Sequence, residues 1–501
     1  MILGIRNQLL AVSLIALVIT SSFADDRSNA RSTGMAFSSM VSSFGTNAYG
    51  INPANFDFHK VSKIKIRAAN NQVILKTRPL FSSWEVSVLS VGGGYGSDSS
   101  IGFYNDYLSY LSIDRQKFVN LFTDLNAVLY FRQNVLPGER TDVNYDFELR
   151  WFSVNLANPK YGAFNITMSD KVGLNTNVFS RDEALPLNFG VYYDPNTQKT
   201  DLTNVNLKQS EAIAWWIRKY NLGYAKQLNF KNSSGIKNFS IGVSVGLVHG
   251  FGNVSTYESK LGIGTWGVKS NNGVNHVDSI KGKQDFHTQF ALTDFFRDYK
   301  DGAESHFNLF PKPAGTGYTF DFGIAMQIGD QWRIAASVID LGKITWDYNT
   351  VTNDDTNYFA YYDFDLAATD PTYNALVNDL GGYETQDTGT TFKTDMPTKF
   401  HAGIMFQPND KFMIEFNWVK GTNNLPGNFD ANVFALGAEY YPVYFLPLRM
   451  GASLGGPGDY YISLGGGVKF RNFTVDVGTH GINQLITDKR FSVAVTGRVM
   501  F

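Results

Sequence analysis

The feature that most limits what this chain can become is the period-two alternation that fills residues 399–501. Phe400, Ala402, Ile404 and Phe406 alternate with His401, Gly403, Met405 and Gln407. Phe412, Ile414, Phe416 and Trp418 alternate in the same way with Met413, Glu415, Asn417 and Val419. Phe434, Leu436, Ala438 and Tyr440 continue the series, followed by Leu446, Leu448, Met450, Ala452 and Leu454, then Tyr460, Ile462, Leu464, Val468 and Phe470. Phe491, Val493, Val495, Val499 and Phe501 close it. Side chains along a strand point alternately to its two faces, so each of these strands has one apolar face and one polar or small face. Connections as short as Pro408-Asn409-Asp410 join neighbours as antiparallel hairpins. A transmembrane β-barrel requires this arrangement, with apolar residues towards lipid and polar ones towards the lumen.

Composition fits such a barrel. Aromatic residues make up 15% of the chain, and the 47 glycines suit strands and turns that pack closely. Beyond the first twenty-odd residues no run is apolar enough for a spanning helix, which takes roughly 20 residues. The net charge of -2 argues against a nucleic-acid partner. With no Cys, disulfides, thiol catalysis and Cys-ligated metals are excluded. Residues 1–24 read as a signal peptide, with Arg6 in the positive region, an apolar stretch over 9–19, and small Ser22 and Ala24 at the positions a peptidase reads. Cleavage is expected after Ala24. Export combined with a barrel places the protein in a bacterial outer membrane, because only helices and closed barrels span lipid.

The mature chain divides into an N-terminal segment over 25–80 and a barrel over 81–501. Residues 25–58 are rich in Ser, Gly, Ala and Asn and lack alternation. Within them, Asn52-Pro53-Ala54 reads as a turn or cap, since Pro53 lacks an amide proton and holds Asn52 extended. A hairpin around Asn70-Asn71 belongs to this segment or forms a supplementary pair. Trp84, Val86 and Val88 lead to Gly92-Gly93-Gly94 as the first barrel strand. Phe118, Leu121, Phe122 and Leu125 predict a helix over 113–125, which either lies over the barrel mouth or plugs the lumen or, the favoured placement, packs on an extracellular loop. Further strands flank Asn158-Pro159-Lys160, run through 216–226 and 239–247, and pair across Gly329-Asp330. Counting back from Phe501 gives about 14 strands, within the even-numbered series of bacterial barrels. Short connections (158–159, 329–330, 408–410, 442–444, 471–472) then alternate with long ones (95–145, 181–214, 252–315, 347–397), the separation by side that such barrels show. The fold expected is all-β: a transmembrane antiparallel barrel with an N-terminal luminal hatch and long extracellular loops.

Phe501, with Val499 and Gly497 behind it, is similar to the signal read by the outer-membrane barrel assembly machinery, an aromatic anchor on an open strand edge. No catalytic residue, metal site or cofactor is expected. The seven His are scattered without an i, i+4 pair, and the two candidates, His276 near Asp278 and His401, read as solvated or lumen-wall side chains. Asp347, Asp354, Asp355 and residues 363–365 lack the spacing of a Ca²⁺ loop and read as a solvated acidic loop. Phe359, Tyr361, Tyr362 and Phe364 in that loop are candidates for a ligand surface. The glycine triplets at 92–94 and 465–467 open no helix and so cradle no phosphate; in strands they permit close packing.

An Asn-Pro-Ala turn closing a small-residue segment, after an export signal and before a barrel, resembles the FadL/TodX superfamily of outer-membrane transport proteins. The resemblance implies that the segment is a hatch in the lumen. It also implies passive uptake, by a monomer in outer-membrane lipid, of a hydrophobic or amphipathic small molecule captured by extracellular loops. Residues 341–346 after Asp340, and the entry 397–403, look like stretches of Bacteroidetes-type, PorV-like barrels of that superfamily. This implies a second reading, a surface or secretion-associated scaffold that holds partner proteins through its long loops. The acidic stretch 347–387 departs from the apolar loop pockets of the transporters.

Overall fold

The computed structural model describes residues 27–57, 61–67, 73–79, 84–97, 141–158, 160–178, 192–194, 199–201, 205–206, 210–229, 235–271, 274–296, 308–365, 369–372, 375, 387–456, 460–470, 472–485 and 490–500. The signal peptide, the helix over 113–125 and Phe501 lie outside these residues.

Fourteen strands form one closed antiparallel barrel. They are β1 (Trp84–Ser97), β2 (Thr141–Asn158), β3 (Gly162–Val178), β4 (Ser210–Asn229), β5 (Ile236–Asn271), β6 (Gly315–Ile328), β7 (Trp332–Trp346), β8 (Lys399–Asn409), β9 (Phe412–Gly421), β10 (Asn432–Val443), β11 (Leu446–Gly455), β12 (Tyr460–Phe470), β13 (Phe473–His480) and β14 (Arg490–Met500). β14 returns to β1 through Arg490↔Gly96 to Met500↔Glu85, so no edge is left open to lipid. Asparagine fixes two of the tight turns. Asn158 Oδ1 accepts the amides of Lys160 and Tyr161, and Asn409 Oδ1 accepts those of Lys411 and Phe412.

The alternation read from the sequence has the expected sense. Phe400, Ile404, Phe416, Phe434, Leu448, Ile462 and Val493 are exposed, while His401, Met405, Glu415, Glu439, Arg449, Ser463 and Ser492 from the same strands are buried. A barrel with a greasy exterior and a charged interior is inside out relative to a soluble protein, and its outer face is the one that meets acyl chains.

Two parts depart from expectation. β5 runs for 36 residues, well past the membrane belt. Beyond Gly252 it pairs with a returning strand, Val274–Leu292, which pairs in turn with Thr350–Asp365. Much of the expected loops 252–315 and 347–397 is therefore an ordered β rib beyond the barrel rim. It is rich in Thr, Val, Tyr and Phe, which favour strands, and it buries Phe359 and Phe364 while leaving Tyr358 and Tyr362 exposed. The hairpin around Asn70-Asn71 is a separate two-stranded sheet, Val61–Arg67 with Val73–Pro79, outside the barrel ring.

Candidate functional site

Residues 27–57 touch every strand of the closed ring and are almost wholly buried, so they lie inside it. Going round the wall, Thr46 Oγ1 donates to Glu85 (2.7 Å), Arg27 to Asp146 (2.9 Å), and Tyr49 shares a hydrogen bond with Ser169. Asp57 accepts the Gln227 amide, and Ser240 and Ser337 donate to the carbonyls of Ala54 and Ile51. Val41 packs in one cluster with Met405 and Met413. Glu415 accepts the amides of Val41 and Ser42, and Arg31 reaches Glu439. The short helix α1 (Ala30–Gly34), capped by Asn29, packs on β11 to β14. Ala30 N donates to Thr496 of β14.

Asn52-Pro53-Ala54 is the seat of this segment on β5 and β6. Pro53 opens a single helical turn, Pro53–Phe56, which Asn52 caps by accepting the Ala54 amide at 3.0 Å. The other end of the Asn52 amide donates to the Ile324 carbonyl at 3.2 Å. Glycines in the wall make the approach possible. A Cβ on Gly242 would collide with the Pro53 backbone, and one on Gly323 with the Asn52 amide. The glycine triplets do the same elsewhere. Gly92 leaves room for the Arg27 carbonyl, and Gly465 lies against Gly34 of α1.

Charge holds the arrangement together. Arg31, Glu439, Arg449, Asp476, Arg498 and Glu85 form an alternating chain across β10, β11, β13, β14 and β1. Its links run from 2.6 to 3.3 Å, and it begins and ends on the inner segment, at Arg31 and at Thr46. Buried charges persist only when paired in this way. On the other wall Asp340 sits at φ +57, in a bulge where β7 slips register against β6. The bulge turns its carboxylate to Lys219 and to Lys171 (3.5 Å).

Above the inner segment, at the rim of long connections, the barrel mouth is built differently. Residues 422–431, between β9 and β10, cross to the opposite wall. There Asn424 O accepts from Asn175 of β3, and Pro426 fills the space beside Gly173. Trp215, Ile217, Val248, Ile344, Trp346, Phe392 and Met396 form an apolar core in the same mouth. Between this core and the crossing loop lies a cavity of about 680 Å³, lined by Asn, Thr and Ser side chains with Ile213, Leu425 and Phe429.

A family model described as a family of unknown function, DUF5723, matches residues 85–479, from the first strand through the thirteenth. The chain belongs to this family. No curated protein matches the DUF5723 chain by sequence. Among solved structures it is similar to the Pseudomonas putida toluene transporter TodX, at 10% identity over 96% of this chain and 97% of that one, with a TM-score of 0.37. It is also similar to a Pseudomonas aeruginosa FadL homologue, at 12% identity over 96% and 99%, with a TM-score of 0.41. Other structural neighbours include a TodX monoaromatic hydrocarbon channel mutant and Rhodopseudomonas blastica porin mutants. The match names no PorV-like subfamily.

The residues singled out in the DUF5723 chain fall in different places. Asn52, Pro53 and Ala54 are buried at the wall, as described. Gly497 and Val499 lie on β14, where Gly497 O accepts from Ser87 and Val499 pairs with Val86, so the edge is closed in the finished barrel. Phe359, Tyr361, Tyr362 and Phe364 do not form one loop surface. They lie on the rib strand Thr350–Asp365, with Phe359 and Phe364 buried and Tyr362 exposed, and Asp363, at φ +54, interrupts the alternation between them. His276 pairs with Asp363 and Asp365 of that strand, at 3.1 and 2.9 Å, and Asp354 pairs with His287. The acidic stretch is therefore partly paired across the rib. Among the described residues no group of three His, Asp or Glu is placed to hold a metal ion. His401 is buried on the lumen side of β8. The mouth core and the crossing loop were not read from the sequence. Their one legible signal is Asp340, where the outward parity of Trp332, Ile334, Ala336 and Val338 passes to Leu341.

Proposed function

We propose that this is an outer-membrane channel for passive passage of an amphipathic small molecule, with residues 27–57 as a hatch across its lumen. The protein is exported, loses residues 1–24, is assembled through its terminal strand ending in Phe501, and works as a monomer. The observation that carries this reading is the inner segment itself. It touches every strand of the ring and is joined to the wall by hydrogen bonds and ion pairs beside apolar contacts of Met35, Val41, Ile51 and Phe56, with a cavity above it. The polar contacts can exchange for water or ligand when the hatch is displaced. The polar lumen walls favour the amphipathic half of the hydrophobic-or-amphipathic class implied by the FadL/TodX resemblance.

The test is reconstitution into liposomes of the intact chain and of a variant lacking residues 30–55. The intact protein should give saturable uptake of an amphipathic probe and little open conductance. The deletion should replace this with unselective conductance. Sealed bilayers for both proteins would sink the proposal.

The rib supports a second reading, a barrel that holds a protein partner. It places about 20 residues of β5 and two further strands beyond the rim. Purification in mild detergent separates the two readings: a stoichiometric protein lost on trimming residues 255–290 would favour the scaffold.

A further inference from the structure

The cavity at the mouth carries a narrower statement about what enters the channel. Side-chain amides and hydroxyls line one part of its wall, Asn144, Asn175, Gln289 and Asn423 with Thr176 and Thr256, and apolar side chains line the rest. Its two charged residues, Lys393 and Asp395, have opposite sign. Some amides of the inner wall below, such as Asn155 and Asn417, are tied to the hatch. Asn144 is not. It is only 4% exposed, it lines the cavity, and neither its amide nitrogen nor its amide oxygen has a partner. A buried amide in that state is costly unless something that enters supplies both an acceptor and a donor. Asn144 also stands one lumen-facing step along β2 from Asp146, which holds Arg27 of the hatch.

We infer that this cavity binds an uncharged, hydroxyl-rich ligand with an apolar face, a short saccharide, and that Asn144 recognises it by a paired donor and acceptor. A hydroxyl is both donor and acceptor, as an amide is, so a sugar can satisfy the amides in pairs. A hydrocarbon would strip water from these amides and return nothing. An anion or a cation would meet one attractive and one repulsive charge at Lys393 and Asp395. Ile213, Leu425 and Phe429 offer the apolar wall against which the C–H face of a sugar ring packs. The volume of about 680 Å³ lies within the range of small-molecule sites. This assignment rests on the channel reading, since it names the class of molecule the channel would pass.

The experiment is equilibrium titration of the full-length protein in detergent with maltotriose and triacetylchitotriose, with toluene and the neutral peptide trialanine as contrasts. Asn144→Leu and Gln289→Leu serve as variants, and barrel integrity is checked by heat-dependent gel mobility. At least one saccharide should bind, at least tenfold more weakly to folded Asn144→Leu, and toluene should not. Toluene or trialanine binding in place of both sugars, or no binding by any probe, would overturn the inference. So would unchanged sugar affinity in both folded variants. Liposome flux of the bound sugar is read separately. Binding without flux would keep the site and remove the channel.

Discussion

A single strand, β5, shows the contrast between the two halves of this barrel. In the belt its Val243, Val245 and Leu247 point outward, 45 to 51% exposed, and Ser240 and Ser244 point inward. A few residues further on, Val248 is buried in the apolar core of the mouth. β7 repeats the pattern: Ser337 and Asp340 face the polar lumen, then Ile344 and Trp346 face the mouth core. The polarity of the inner face reverses because the medium outside changes. Where lipid surrounds the wall, apolar side chains gain by facing out. Where water does, they gain by turning in, as in any soluble protein. The belt is therefore held by charge and hydrogen bonds inside, and the mouth by packing.

The difference predicts opposite sensitivities. Trp346 is wholly buried, and Gly250 and Gly315 leave room for its indole. Trp346→Ala should destabilise by about 3–5 kcal/mol, the cost of lost transfer plus a cavity the mouth cannot refill. Phe322, 49% exposed in the belt, is the control. Phe322→Ala should lose only a transfer contribution, bounded by the roughly 1.5–3 kcal/mol of a whole Phe side chain, because acyl chains refill the space. Urea unfolding of both variants in lipid vesicles measures the gap. Equal losses would mean that the mouth is not packed as a core.

The belt should fail through its charges instead. Glu439 accepts from both Arg31 and Arg449. Glu439→Gln leaves two buried guanidinium groups short of a counter-charge and should cost about 1.5–3 kcal/mol, the worth of hydrogen bonds to charged groups. It should also loosen the hatch, so that trypsin cuts after Arg31 in the variant and not in the parent. A variant whose hatch stays protected would show that Arg31 is not an anchor.

The same contrast explains what could be read beforehand. The belt strands were legible because lipid and lumen select opposite chemistry on the two faces, and Phe416 beside Glu415 or Phe322 beside Asp321 writes that choice into every second residue. The seat of Asn52-Pro53-Ala54 was half legible. Its turn follows from Pro53, but its partners Gly242 and Gly323 gain meaning only when the wall is assembled. The mouth was illegible because its strands change parity at bulges, at Gly250 to Gly252 against β4 and at Asp340 in β7. A fixed period of two then assigns Trp346 to the wrong face. The rib was missed for another reason. No continuous stripe marks its strands, because Asp363, at φ +54, interrupts the alternation between the buried Phe359 and Phe364, which together read as a loop cluster.

The rib also offers the smallest test, where neither lipid nor a core contributes. His276 bridges Asp363 and Asp365 on the neighbouring strand, and its pKa is raised above the ordinary histidine value by the hydrogen bond it donates to the Asp365 carboxylate and by the charges of both carboxylates. A raised folded-state pKa means the imidazolium is favoured by pairing. The pairing is therefore fully present below the unfolded value of about 6.5 and is lost as pH rises through the higher folded value. The imidazole is part-exposed and its carboxylate partners are exposed, so water and salt screen the effect and the change should be local. Amide exchange along residues 274–280 and 361–365 should quicken as pH passes from 6 to 8, after correction for the intrinsic rate, while β9 and β10 in the belt stay unchanged. His276→Gln should remove that pH dependence. If the variant keeps it, the rib is held by something other than this ion pair, and the division of the molecule into charge-held belt, packed mouth and lightly pinned rib would have to be redrawn at its outer end.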